Sequence, residues 1–84
     1  MKYKTVFTEA ARADLRKIER GMALTILRKL ADLEADPYGF GTTELVTQHG
    51  VRRLRVGDYR VFYTVENGQL IVEVVRVAHR SSAY

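Results

Sequence analysis

Val51 to Tyr63, VRRLRVGDYRVFY, is the stretch that decides how this chain folds. Apolar residues alternate with arginines on either side of Gly57-Asp58, the pattern of two strands joined by a tight turn. A two-residue turn pairs Val56 with Tyr59 and carries the register outward from there. Successive side chains of a strand point to opposite faces. Leu54, Val56, Tyr59, Val61 and Tyr63 therefore share one face, while Arg53, Arg55, Arg60 and Phe62 share the other. Arg55 falls directly opposite Arg60. Like charges facing each other across a sheet destabilise it, by roughly 0.2–1 kcal/mol per pair. Arg53, Arg55 and Arg60 on one face thus ask either for an anion or for offsetting carboxylates, which Glu66 and Glu73 offer. Arginine's planar fork suits phosphate and carboxylate, so the anion is a nucleic-acid backbone or an acidic protein.

The pattern continues in both directions. Asn67-Gly68 is a strong hairpin signal, and a two-residue loop there pairs Glu66 with Gln69. The apolar face then extends through Val65, Leu70, Val72 and Val74, and the arginine face through Thr64, Ile71, Glu73, Val75, Val77 and His79. Toward the N-terminus, Lys2 to Phe7 predicts a first strand. Thr8 is placed to cap a helix, with Glu9 favourable in its first turn. Ala11, Leu15, Ile18 and Met22 recur at helical spacing, and Gly21 predicts a break near Glu19 to Gly21. A second helix is expected from about Met22 to Ala35, with Ala23, Ile26, Leu27, Leu30 and Leu33 as its apolar stripe. Asp36, before Pro37, is biased out of the helical region, and Pro37 to Thr43 predicts a turn-rich loop. The expected fold is α+β, in the order β-α-α-β-β-β: two N-terminal helices packed on one face of a small antiparallel sheet, forming one domain over residues 1–84.

The chain has 84 residues, a net charge of +4 and no cysteine. It therefore has no disulfide framework and no thiolate metal site, which fits a reducing compartment. No apolar run approaches the roughly 18 residues of a membrane span, and the start, MKYKTVFTEAARADL, lacks the apolar core of a secretory signal. The expected location is the cytoplasm, without membrane contact. The charge is uneven. Residues 1–48 hold 8 Lys/Arg against 7 Asp/Glu, whereas residues 49–84 hold 6 Arg against 3 Asp/Glu. The excess lies in the half that carries the arginine face.

The chemistry this pattern suggests is an arginine clamp that stabilises charge on a phosphate. Arg80 and Tyr84 lie just beyond the last strand; taken alone each is a solvated tail residue, but beside a clamp each is a candidate for the site. His79 shares the arginine face by parity and is a candidate acid or base. His49 reads as a loop residue. Phe62 is placed to stack on a base. Two distant histidines and no paired carboxylates offer no metal site, and no cofactor is expected. No Ser-His-Asp pattern and no phosphate loop occurs.

The strand–helix–helix–three-strand order, the RLRVGDYRVFY hairpin and the ending VVRVAHRSSAY resemble the RelE toxins of the RelE/ParE superfamily, over nearly the whole chain. The G-D-Y-R hairpin is shared widely in that superfamily, and the H-R-x-x-x-Y ending is more specific to RelE-like members. The resemblance implies a type II toxin that cuts mRNA on the ribosome without metal, by attack of a 2′-hydroxyl on the adjacent phosphate. It implies a RelB-like antitoxin as partner, with the ribosome and mRNA as targets. Arg60 matches the family's hairpin arginine, Arg80 the arginine after the last strand, and Tyr84 the C-terminal tyrosine. Arg53 and Arg55 stand where the family often has lysines. Arginine does not deprotonate in proteins, so the base is open among Tyr84, His79 and Glu44, with Arg55, Arg60 and Arg80 as the charged catalytic groups. Arg53, Arg55 and Phe62 would hold RNA. The alternative is a ParE-like toxin that inhibits gyrase and does no RNA chemistry.

Overall fold

A computed structural model describes residues 2–39 and 41–82. Its elements are β1 (Lys4–Phe7), α1 (Glu9–Arg16), α2 (Arg20–Leu33), β2 (Thr42–Glu44), β3 (Arg52–Val56), β4 (Tyr59–Glu66) and β5 (Ile71–His79). The expected order fits, with one short strand added at the edge. The five strands form one sheet in the order β1-β5-β4-β3-β2. Among the described residues no helix is long and apolar enough to cross a membrane.

The sheet is mixed. β3, β4 and β5 form the expected antiparallel meander, but β1 lies parallel to β5, with Lys4 opposite Ile71 and Phe7 opposite Val74. Turn chemistry specifies only neighbours in sequence, so it left the direction of β1 open. The short β2 lies antiparallel to β3, with Thr43 opposite Arg53. It arises inside the stretch expected to be a turn-rich loop, because three edge residues are too few to show an alternation of their own.

The helices form where capping and apolar spacing direct them. Thr8 Oγ1 accepts the Ala11 amide at 3.1 Å and caps α1. Glu19 caps α2, accepting from Gly21 N and Met22 N at 2.8 and 3.1 Å. That cap lets α2 begin at Arg20 and take Gly21 into its first turn. Ala11, Ile26, Leu30 and Leu33 pack onto Leu54, Val56, Val61, Tyr63, Val72, Val74 and Val77, all of them buried. Burial of such side chains is worth about 1.5–3 kcal/mol each before entropy is counted. The Tyr63 ring is fully buried, and its hydroxyl donates to the Pro37 carbonyl. That bond ties the chain leaving α2 to the middle strand.

The two hairpins treat their registers differently. β3 and β4 pair as the sequence predicts, from Val56 with Tyr59 to Arg52 with Tyr63. Gly57 takes φ +56° while Asp58 stays out of the left-handed region, the sign pattern of a II′ turn with glycine first. The β4–β5 loop, by contrast, runs over four residues, because Glu66 pairs with Ile71. Leu70 supplies the left-handed residue at φ 57°. Asn67 instead uses its side chain, accepting from the Tyr3 hydroxyl at 2.6 Å and donating to the Tyr38 hydroxyl at 3.1 Å.

Farther along β5 the ladder is bulged. Tyr63 pairs with Val74, but Phe62 pairs with Arg76, leaving Val75 as the extra residue. One extra residue reverses the faces of everything beyond it. Val77 therefore points into the core, 3% exposed. His79 lies opposite Tyr59 on the helix side, and Ala78 lies opposite Arg60. The expected placement of Val77 and His79 on the arginine face is corrected on this ground. The bulge has a hydrophobic cause: an unbroken alternation would drive Arg76 into the core beside Val61.

Candidate functional site

The face away from the helices carries the arginines. Arg53 and Arg55 stand on β3, and Arg60 on β4 directly across from Arg55. Arg80 follows β5. Its amide donates to the Asp58 carbonyl at 2.6 Å, which ties it to the β3–β4 turn. Its Nε lies 3.9 Å from Asp58 Oδ1, a long, exposed contact of little energetic weight. Partial burial, followed by the charges of Arg55, Arg53 and Arg80, pushes the Arg60 guanidinium below its ordinary pKa, and Asp58 opposes this. Arginine stays charged under such shifts. The four arginines therefore form one electrostatic cluster with Asp58 as its acidic neighbour.

Of the offsetting carboxylates anticipated for this face, Glu73 lies on it as expected but at its far end, and Glu66 is engaged at the β4–β5 turn. Glu66 accepts the Gly68 amide at 2.6 Å. Glu73 pairs with Thr64, four residues along β4 from Arg60, or about 13 Å at a strand's rise. Among the described residues, neither makes an ion pair with Arg53, Arg55 or Arg60.

Beside the cluster lies an open groove of about 1060 Å³. Arg53, Phe62, Val75 and Ala78 lie along it, and Leu45 to Gln48 form one wall. Phe62 is on the arginine face as expected, but it is 6% exposed. It is part of the groove wall rather than an open platform for a base. Val46 in the flanking segment is fully exposed.

The candidate bases are separated. His79 stacks edge-on against Tyr59, with ring centroids 5.3 Å apart. Its Nδ1 accepts the Ser81 amide at 3.2 Å and lies 2.9 Å from Ser81 Oγ. The ring is thus turned away from the arginines, and its Nδ1 lone pair is engaged. Glu44 lies across from Arg52, one position off the arginine row. Its Oε2 accepts the Gly50 amide at 3.2 Å and pairs with His49 Nδ1 at the same distance. Tyr84 falls outside the described residues. Among the described residues no three His, Asp or Glu side chains gather into a group that could hold a metal ion.

Two contributors gave no local sequence signal. Asp58 is a turn residue, and its partnership with Arg80 depends on where β5 ends. Asp14 on α1 receives Arg76 Nε and Nη2 at 2.8 and 3.1 Å and the Val77 amide at 2.9 Å. The Arg76 hydrogen bond holds its carboxyl below the ordinary range, against the effect of partial burial, with help from the Val77 amide and the charges of Arg76 and Lys17. Some 62 residues of chain separate Asp14 from Arg76. The run Val74-Val75-Arg76-Val77 was nevertheless a legible sign of a bulge, since Val74 and Val77 cannot both face the core in a regular strand.

Comparison with known proteins places this geometry. The family model described as the ParE toxin of the type II toxin–antitoxin system parDE matches residues 5–84. The chain is 32% identical over 85 residues to the toxin RelG of Mycobacterium tuberculosis, covering 100% of this chain and 98% of that protein. It is 29% identical over 83 residues to the toxin RelE of the same organism, covering 98% and 86%. Among solved structures, the M. tuberculosis toxin–antitoxin complex RelBE2 contains a chain that superposes with a TM-score of 0.86 at 28% identity, over 95% of this chain and 100% of that one. A chain of the intact E. coli RelBE complex gives a TM-score of 0.81 at 22% identity, over 92% and 95%, and shares the fold.

Proposed function

The chain belongs to the ParE toxin family of type II toxin–antitoxin systems, within the RelE/ParE superfamily, and from that premise we propose that this toxin is a ribosome-dependent mRNA endonuclease. The observation that carries the proposal is geometric: Arg53, Arg55 and Arg60 share one face of the sheet, with Arg55 directly across from Arg60, and Arg80 is tied to the adjoining β3–β4 turn. Such a cluster is stabilised by bound phosphate and suits a reaction that places charge on one.

In the proposed step the 2′-oxygen of a ribose attacks the adjacent phosphorus. A bond forms between O2′ and phosphorus and the bond to O5′ breaks, leaving a 2′,3′-cyclic phosphate and a free 5′-hydroxyl. The 2′-hydroxyl proton passes to a base, and the leaving oxygen takes a proton in return. Arg60 and Arg80 neutralise the charge developing on the non-bridging oxygens, while Arg53 and Arg55 hold the flanking backbone. The arginines remain protonated and serve as charge. Tyr84 is the first candidate for proton transfer, as its match to the family's C-terminal tyrosine implies; His79 Nδ1 and Glu44 Oε2 are engaged as described. Ribosome and mRNA as targets, a RelB-like antitoxin and a cytoplasmic location are parts of the same proposal.

The second reading is gyrase inhibition without RNA chemistry, favoured by the ParE description of the matching family. Primer extension on a translated message, with and without ribosomes, separates the two. Cuts within the message that require ribosomes support the nuclease. Intact mRNA together with inhibited DNA supercoiling supports the gyrase poison.

A further inference from the structure

On its outer edge the end of β5 is held by α1, because β1 has stopped there, while β4 pairs with the inner edge as far as His79. β1 pairs with β5 only as far as Val74. Beyond that point Thr8 and Asp14 take over the hydrogen bonding of the strand edge. Thr8 Oγ1 donates to the Val75 carbonyl at 2.9 Å, and Asp14 Oδ2 accepts the Val77 amide at 2.9 Å while its carboxylate also holds Arg76. These contacts bracket the bulge on both sides. The apolar pattern requires an extra residue between Val74 and Val77, but it supplies no hydrogen bonds to keep the bulged strand in one place.

We infer that Asp14 is a positioning residue for the arginine cluster: with Thr8 it pins the β5 bulge, and so holds Arg80 beside Arg60 and keeps His79 turned to Tyr59. The parity makes the consequence concrete. Beyond the bulge, residues 76, 78 and 80 share the row of Arg60 and Phe62, whereas residues 77 and 79 share the row of Tyr59 and Val61. The bulge therefore selects which of two adjacent residues, a permanent cation or a titratable imidazole, joins the site. A misplacement of about 1 Å at a reacting centre can lower a rate by about 10²-fold. The effect on cleavage rests on the nuclease reading proposed above, but the structural effect does not.

The test is amide hydrogen exchange and ring–ring NOE measurement on the full chain, alongside ribosome-dependent mRNA cleavage. The variants are Asp14→Ala, Asp14→Asn, and Asp14→Ala combined with deletion of Val75. Deleting Val75 turns the ladder into a regular one with the same faces, so it bypasses the need for a pin. In Asp14→Ala the Val77 and Arg80 amides should exchange faster and the Tyr59–His79 contact should weaken. Cleavage should fall toward the level of Arg80→Ala, while Val61 and Val72 keep their protection. Asp14→Asn, which keeps an oxygen for the Val77 amide, should lie between. The deletion should restore Arg80 protection and cleavage together. Asp14→Ala protein that keeps the ring contact and Arg80 protection overturns the inference, as does equal loss of protection across the core strands. If Asp14→Ala fails to fold, the combined variant decides: a folded protein with Arg80 protected supports the inference, and an unfolded one overturns it. Wild-type protein that leaves mRNA whole while the exchange results hold removes the nuclease reading alone.

Discussion

The β3–β4 and β4–β5 hairpins share a strand, yet their registers are determined in different ways. The first is closed by two residues, with glycine in the left-handed region, and its register runs regularly to Arg52 and Tyr63. The second is closed by four residues, places a leucine in the left-handed region, and takes an extra residue at Val75. The first hairpin is self-contained and presents Arg53, Arg55 and Arg60. The second depends on α1 for its far end and delivers Arg80. One half of the cluster is thus fixed by a local turn, and the other half by contacts remote in sequence.

The strongest test of that contrast is removal of one arginine from each half. Arg60→Ala and Arg80→Ala should each lower mRNA cleavage by about 10²–10³-fold, the usual loss when a donor aimed at developing charge is removed. Circular dichroism and antitoxin binding should stay unchanged. If only Arg60→Ala is inactive, the contribution of the bulged strand to the site is refuted.

Next come the supports beneath each hairpin. Leu54→Ala, beneath the first, should destabilise the protein by about 2–5 kcal/mol in urea titration, because Leu54 is 5% exposed against Val61 and the helices. Asp14 supports the second, and its contribution is pH-dependent. Its folded pKa lies below the ordinary value of 3.8. The stabilisation is therefore fully present above that value and is lost as pH falls through the folded value. Asp14→Asn should remove about 1–2 kcal/mol at neutral pH. Its melting temperature should approach that of the wild type as pH falls below 3.8, and meet it only below the folded pKa.

Smaller effects sharpen the comparison at single positions. Gly57→Ala should cost about 1–2 kcal/mol, the penalty for an L-residue in the left-handed region, and should raise amide exchange in β3 more than in β5. His79→Gln should leave cleavage within a few-fold of wild type, because the ring faces Tyr59. A large loss there, with little effect from Tyr84→Phe, would move the base to His79.

How much was legible in the sequence follows from the range of each force. Gly57-Asp58 and the alternation around it fixed the first hairpin, the opposition of Arg55 and Arg60, and the apolar face from Leu54 to Val74. Thr8 and the helical spacing of the apolar residues placed both helices to within a few residues. These are local matters: turn geometry, side-chain parity and helix capping act between residues close in the chain. The partner and direction of β1, the short edge strand at Thr42 to Glu44, and the face on which His79 lies were decided only by the tertiary structure. Each depends on hydrogen bonds between segments tens of residues apart, which no local pattern encodes. The bulge lies at the boundary between the two. Its need was written in Val74-Val75-Arg76-Val77, since a charge is excluded from the core, but Thr8 and Asp14, brought alongside by the fold, hold it in place and so put Arg80 where three other arginines meet.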